Sequence, residues 1–319
     1  ILPIASDYFA VVIYGVPFLA FAMMGNPVIR AEGKPKFAMY AMIIPAVLNI
    51  ILDIIFIKYF DWGMTGAGLA TSISFASCGL YILYFFLSNK SELKILPKNF
   101  KLDLKIVREI VELGGVSVVR QGAISILMIV LNYSLFTYGG EISISIYGII
   151  NRVMMFALSP VLGVSQGFLP VAGFNIGANK NERVKETIKK SIYFGSILGT
   201  IIFIGIVVFK EQIIFIFTQD TTLLSETPNA MLIVFLVTPI VTMQLIGSAY
   251  FQAAGKAVPA LILTLLKQCI FLIPLSYFLP KYYGVAGVWW SFPIADVLST
   301  VVTVIVLKNE VSKNLTADK

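Results

Sequence analysis

Asp53 is the lone carboxylate in the run Ile50, Ile51, Leu52, Asp53, Ile54, Ile55. Keeping an ionisable group among such neighbours costs several kcal/mol unless it faces a cavity, binds a cation or carries a proton. Asn49 lies four residues earlier, one helical turn away on the same face, and its amide offers a donor or a carbonyl oxygen. The two together supply hard oxygen ligands for a small cation, or a carboxyl group that takes up and releases protons. The competing reading is an ion pair between Asp53 and a basic neighbour, with Lys58 close by.

A second set of charges is buried in apolar sequence further on. Arg120, Arg152, Lys267 and Asp296 each fall about ten residues inside their stretch, near the middle of a bilayer if the stretches cross one. Asp296 can neutralise Lys267 or either arginine, which leaves at least one cation needing carbonyls, water or an anionic substrate group. The set therefore reads either as a buried bridge or as a substrate- or proton-coupling cluster, and the excess of positive charge raises the prospect of zwitterionic or acidic substrates. Gln121, Asn132, Asn151, Gln166 and Gln244 suit a polar cleft or hydrogen bonds between helices, worth ~0.6 kcal/mol each. Without histidine, and with Cys78 and Cys269 far apart, the chain has no transition-metal set and no nucleophile triad. No phosphate loop of the form GxxxxGK[ST] occurs, so neither enzyme chemistry nor ATP is expected.

The elements that must hold these residues are membrane helices. Of the 319 residues, 58% are hydrophobic and 13% charged, and the mean hydropathy is +0.89, which leaves too little polar surface for a soluble globule. Residues 8–29, 62–89, 121–140, 153–179, 191–209 and 227–255 are free of charge, while 37–57, 257–280 and 282–307 carry only Asp53, Lys267 and Asp296 within the apolar run. Nine spans are expected. Alternate loops are basic: Arg30 to Lys36, Lys90 to Arg108, Lys180 to Lys190, Lys256, and the tail from Lys308, against Lys58, Lys210 and Lys281 on the other side. Such asymmetry puts the basic loops and the C-terminus in the cytoplasm and makes the net charge of +7 a topology signal rather than a nucleic-acid surface. Pro160, Pro170, Pro239, Pro274 and Pro293 are candidate kinks.

GNPVIRAEGK from Gly25 aligns with GSAYFQAAGK from Gly247, and GMTGAGLA from Gly63 with GVAGVWWS from Gly284. This is a parallel repeat of three helices. Three further spans precede the second copy but not the first, so the expected architecture is all-α and polytopic, with two pseudo-symmetric six-helix bundles of which the opening three spans are absent. Residues 1–89 then form the second half of the N-terminal lobe, 90–109 a cytoplasmic linker, 110–307 the C-terminal lobe of six spans and 308–319 a cytoplasmic tail. KIVREIVELG at the end of the linker reads as an interfacial amphipathic helix or as solvated chain. Ile1 opens the chain without a basic leader, so the first apolar stretch is expected to be a span rather than a signal peptide.

The segments GNPVIRAEGKPKFAMYAMIIPAVLNIILDIIFI, GMTGAGLAT, GVSQGFLPVAGFNIGANKNERVK and FLIPLSYFLPKYYGVAGVWWSFPIAD, in that order, resemble the multidrug and toxic compound extrusion (MATE) family of bacterial antiporters. The resemblance implies a twelve-helix exporter of the bacterial plasma membrane, expelling amphiphilic compounds in exchange for sodium ions or protons by alternating access. It implies no cofactor beyond the coupling ion, and its partners would be small amphiphilic substrates and membrane lipid, with no nucleic acid and no ATP, the protein working as a monomer. It also implies a cation site in the first lobe made by Asn26, Asn49, Asp53 and Thr71, completed by an acidic residue on a helix absent here. The alternative is a lipid-linked oligosaccharide flippase of related build, which needs a cationic cleft to carry a pyrophosphate.

Overall fold

A computed structural model of the chain describes residues 2–88, 91–93 and 103–314, and the described residues form helices without a strand. The chain divides into two units, Ile1–Asp103 and Leu104–Lys319.

In the first unit, α1 (Leu2–Val12), α2 (Val16–Ala31) and α3 (Pro35–Asp53) all pack on α4 (Gly63–Leu87). A π-helical stretch, Ile54–Tyr59, prolongs α3 immediately after Asp53. Ala22, Ile29, Ala38, Ala41, Ile82, Phe85 and Phe86 form the core. Only Ala38 and Ala41 of α3 are buried, although the helix is apolar apart from Lys36, Asn49 and Asp53. An apolar surface bared on this scale suits lipid, not water.

The second unit holds α5 (Leu104–Gly177), α6 (Asn181–Phe217), α7 (Thr221–Phe235), α8 (Thr238–Ala253) and α9 (Ala257–Leu265). A π-helical stretch, Leu266–Leu272, follows, then α10 (Ile273–Phe278), α11 (Pro280–Tyr283) and α12 (Val285–Asn314). Gly140, at φ 66 and ψ −163, breaks α5 into two arms, a conformation that glycine adopts without steric penalty. Pro239 stands in the first turn of α8, where α7 and α8 meet at 45°, as expected where a ring removes a backbone donor. Pro160, Pro170 and Pro293 stand inside helices.

The repeat is visible contact by contact. At the end of α2, Glu32, Gly33 and Lys34 donate their N–H groups to Val28, Arg30 and Ile29; at the end of α8, Ala254, Gly255 and Lys256 donate to Tyr250, Gln252 and Phe251. Gly33 (φ 75) and Gly255 (φ 71) make the two turns. A Cβ on Gly25 would lie 2.4 Å from Ile82 Cγ2, and one on Gly247 2.3 Å from Thr303 Cγ2. Asn26 Nδ2 donates to Ala38 O at 2.8 Å, and Ser248 Oγ to Ala260 O at 3.2 Å.

Six helical stretches among the described residues are long and apolar enough to cross a membrane, or seven if α7 and α8 are one bent span. That measure does not reach the nine read from the sequence. Two of those nine lie in α5, which only Gly140 interrupts, and another corresponds to α2, with 16 residues. Helix α5 starts at Leu104, inside the expected linker, and α12 runs to Asn314, past the expected start of the tail. KIVREIVELG is the opening of α5; the linker residues 94–102 lie outside the described residues.

Candidate functional site

Asp53 ends α3 and is half-buried, and among the described residues it makes no hydrogen bond or ion pair, including none with Lys58. One turn earlier, the Asn49 Nδ2 position is buried and has no partner. A half-turn of the amide exchanges nitrogen for oxygen there, so it can present a donor or a cation ligand. The π turn after Asp53, closed by Phe60 N–H on Ile55 O at 3.0 Å, widens the backbone next to the carboxylate, a distortion frequent at functional positions.

Thr71 of α4 stands at the same height. Cys78 Sγ donates to Ala41 O at 2.9 Å, and a Cβ on Gly66 would lie 3.0 Å from Phe56 Cβ. Between those two contacts the antiparallel α3 and α4 bring Thr71 level with Asn49, about one turn from Asp53. Thr71 Oγ1 donates to Ala67 O at 2.9 Å and lies 3.3 Å from Tyr8 OH. Tyr8 is therefore an additional polar group at this level; in the sequence it is only the first residue of the charge-free stretch 8–29. Asn26 is elsewhere. Its bond to Ala38 O holds it fifteen residues along α3 from Asp53, roughly 22 Å. Its contact is the helix tie that Ser248 repeats in the second unit.

In the second unit, Lys267 in the π stretch pairs with Asp296 on α12. Asp296 is 7% exposed, and no hydrogen-bond donor other than this ammonium group faces its Oδ1. Thr300 and Thr303, one and two turns further along α12, and Gln268 beside Lys267 each carry a buried oxygen without a partner. The other members of the expected layer are not joined to the pair. Arg152 is exposed and makes no ion pair or hydrogen bond among the described residues. Gln121 is exposed too, its carbonyl accepting from Ser125 Oγ at 3.3 Å. The Arg120 side chain lies outside the described residues.

Known proteins share this arrangement of helices. The family described as MatE matches residues 1–55 and 117–278. The multidrug export protein MepA of Staphylococcus aureus strain N315 is 26% identical over 306 residues, covering 96% of this chain and 67% of the relative. The protein of the same name from Staphylococcus haemolyticus strain JCSC1435 is 28% identical over 320 residues, 98% of this chain and 69% of its own length. Among solved structures, the outward-facing conformation of a multidrug resistance MATE family transporter of the MOP superfamily superposes with a TM-score of 0.89 at 26% identity, covering 96% of this chain and 69% of the other. With more than half of its length matched, the chain belongs to the MatE family, and it is a multi-pass helical membrane transporter, not an enzyme.

Proposed function

We propose that the protein exports small amphiphilic organic compounds from a bacterial cell by antiport against sodium ions or protons, through alternating access of two helical bundles. Its place is the plasma membrane, with the basic loops and the C-terminus in the cytoplasm. Support for the cargo comes from the relatives, which are multidrug export proteins.

The observation that carries the coupling is Asp53: a carboxylate without a counter-charge, in an apolar helix, one turn from an unpartnered amide. A cation or proton arriving there meets the oxygens of Asp53 and Asn49, with the Thr71 and Tyr8 hydroxyls at the height of Asn49. Asn26 drops out of this set because its amide ties two helices together. Sodium needs several such oxygens at once, whereas a proton needs only the carboxylate, so both ions remain chemically suited.

With Lys267 neutralised by Asp296 and Arg152 exposed, the case for an acidic substrate group rests on Arg120. Unchanged binding of a lipophilic cation by Arg120→Ala would remove it. The flippase alternative gains no support from α2, α3 and α4, which carry no mid-helix Lys or Arg for a pyrophosphate.

The test uses Asp53→Asn, reconstituted in vesicles under an imposed sodium or proton gradient with a fluorescent lipophilic cation as cargo. Efflux should fall to the level of empty vesicles while the dye still binds. Gradient-driven efflux at the unmodified rate defeats the assignment.

A further inference from the structure

The cytoplasm-side half of α6 carries a groove of about 730 Å³ that the transport reading leaves unused. It straddles a sharp change in the helix: Asn181 to Lys190 is rich in charge, and Ser191 to Phe209 has none. Glu186, Lys189 and Lys190 form the charged rim, and Ile192, Tyr193 and Ser196 of α6 face Met243 of α8.

Two glycines set the wall. A Cβ on Gly195 would lie 2.2 Å from Thr242 Cγ2, and one on Gly199 2.7 Å from Thr238 O. Small residues spaced four apart let two membrane helices approach this closely, which presses α8 against α6 and leaves Met243 as the far side of the groove. Below the rim, Tyr193, Ile197, Ile201 and Ile204 continue along α6 as an exposed apolar track.

The polar groups are unevenly spent. Lys190 pairs with Glu186 at 2.7 Å, whereas Lys189 makes no ion pair or hydrogen bond among the described residues. The rim keeps a net positive charge. Ser196 Oγ is buried without a partner. It sits six residues deeper than Lys190, about 9 Å along the helix, comparable with the thickness of the interfacial layer of one leaflet.

We propose that this groove binds an anionic glycerophospholipid. Its phosphate lies between Lys189 and Lys190, a glycerol ester carbonyl accepts from the Ser196 hydroxyl, and one acyl chain follows Tyr193 and Met243. Charge complementarity selects this occupant: an apolar track continuous with the hydrocarbon, capped by cations where anionic headgroups lie, matches a lipid from headgroup to tail. The site is independent of Asp53, so its failure leaves the antiport reading untouched.

The test is native mass spectrometry of the purified full-length protein, titrated with dioleoyl phosphatidylglycerol or dioleoyl phosphatidylcholine. The unmodified protein should retain the glycerol lipid in preference. The double variant Lys189→Gln with Lys190→Gln should lose that preference by roughly tenfold, while Lys189→Arg with Lys190→Arg keeps it. Ser196→Ala should weaken retention of both lipids by about 2- to 3-fold, the loss of one hydrogen bond. Lys308→Gln with Lys313→Gln, at the end of α12, should change nothing. Equal retention of the two lipids by the unmodified protein, an equal loss in the α12 variant, or complete displacement by inorganic phosphate would each overturn the proposal.

Discussion

Asn49 and Asn26 have the same side chain and opposite situations. Asn26 spends its amide on Ala38 O, so Asn26→Ala should lower the thermal midpoint by the equivalent of ~1 kcal/mol and leave the ion dependence of efflux intact. Asn49 holds a buried polar atom with no partner, so Asn49→Ala should be neutral or stabilising in the same melt, while the ion concentration for half-maximal efflux rises on the order of tenfold. An unchanged ion dependence in Asn49→Ala would remove that residue from the site. The Asn49 and Asp53 pair was legible because helical spacing alone puts them together. Asn26 was joined to them only by the family resemblance, and its distance from Asp53 follows from its bond to Ala38 O. Tyr8 was not legible, because no periodicity links it to Thr71. Lys267 and Asp296 were legible as charges but not as partners: sequence distance cannot choose among three cations, whereas the packing of the π stretch on α12 does. Asp296→Ala should cost up to about 3 kcal/mol, because it leaves an ammonium without its counter-ion, moderated by the partial exposure of Lys267. Lys267→Met with Asp296→Leu should recover most of that stability in a denaturation measurement. If the double variant also transports normally, the pair is a structural bridge; if it is stable but inactive, the pair takes part in coupling.

At the scale of helices, the duplication left its clearest imprint at turns, where Gly33 and Gly255 take a positive φ that other residues resist, so the residue type survives in both copies. The close approaches beneath those turns were harder to read. Gly25 meets Ile82 and Gly247 meets Thr303 at matching positions, but the partners are chemically unlike and no motif announces them. The π turns were not legible at all. They fall at different places in the two copies, after Asp53 in one and around Lys267 in the other, because a backbone widening requires no particular residue. The shared contacts give a paired expectation. Gly25→Val and Gly247→Val should each destabilise the protein by about 1–3 kcal/mol through overpacking, and Ile82→Ala and Thr303→Ala should relieve the first and second respectively. Measured as thermal midpoints in detergent, a rescue confined to the matched pair identifies these contacts as the cause, whereas rescue by the unmatched partner would mean the strain is spread through the bundle.

For the molecule as a whole, a local ion site can drive export only if ion and cargo bias the same conformational equilibrium. If saturating sodium, or a drop in pH, weakens binding of a lipophilic cation by some factor, saturating cargo must weaken binding of that ion by the same factor, because both measure one coupling free energy. A factor between 5 and 150 corresponds to the usual coupling of about 1–3 kcal/mol. Isothermal titration of the reconstituted protein with dye at low and high sodium, and across pH, measures one side of this cycle; titration of the ion in the presence of dye measures the other. Direct competition at a shared site gives a dye affinity that falls without limit as the ion concentration rises, whereas coupling between separate sites gives a plateau. Asp53→Asn should bring the factor to one, with the dye affinity held near a single value under all conditions. The Asn26→Ala variant should keep the full factor, since the bond it removes joins two helices and touches no part of the ion site. A dye affinity that stays ion-dependent in Asp53→Asn would move the coupling carboxylate elsewhere, with Asp296 the next to test, because it is the other carboxylate held deep in an apolar helix beside oxygens that have no partner.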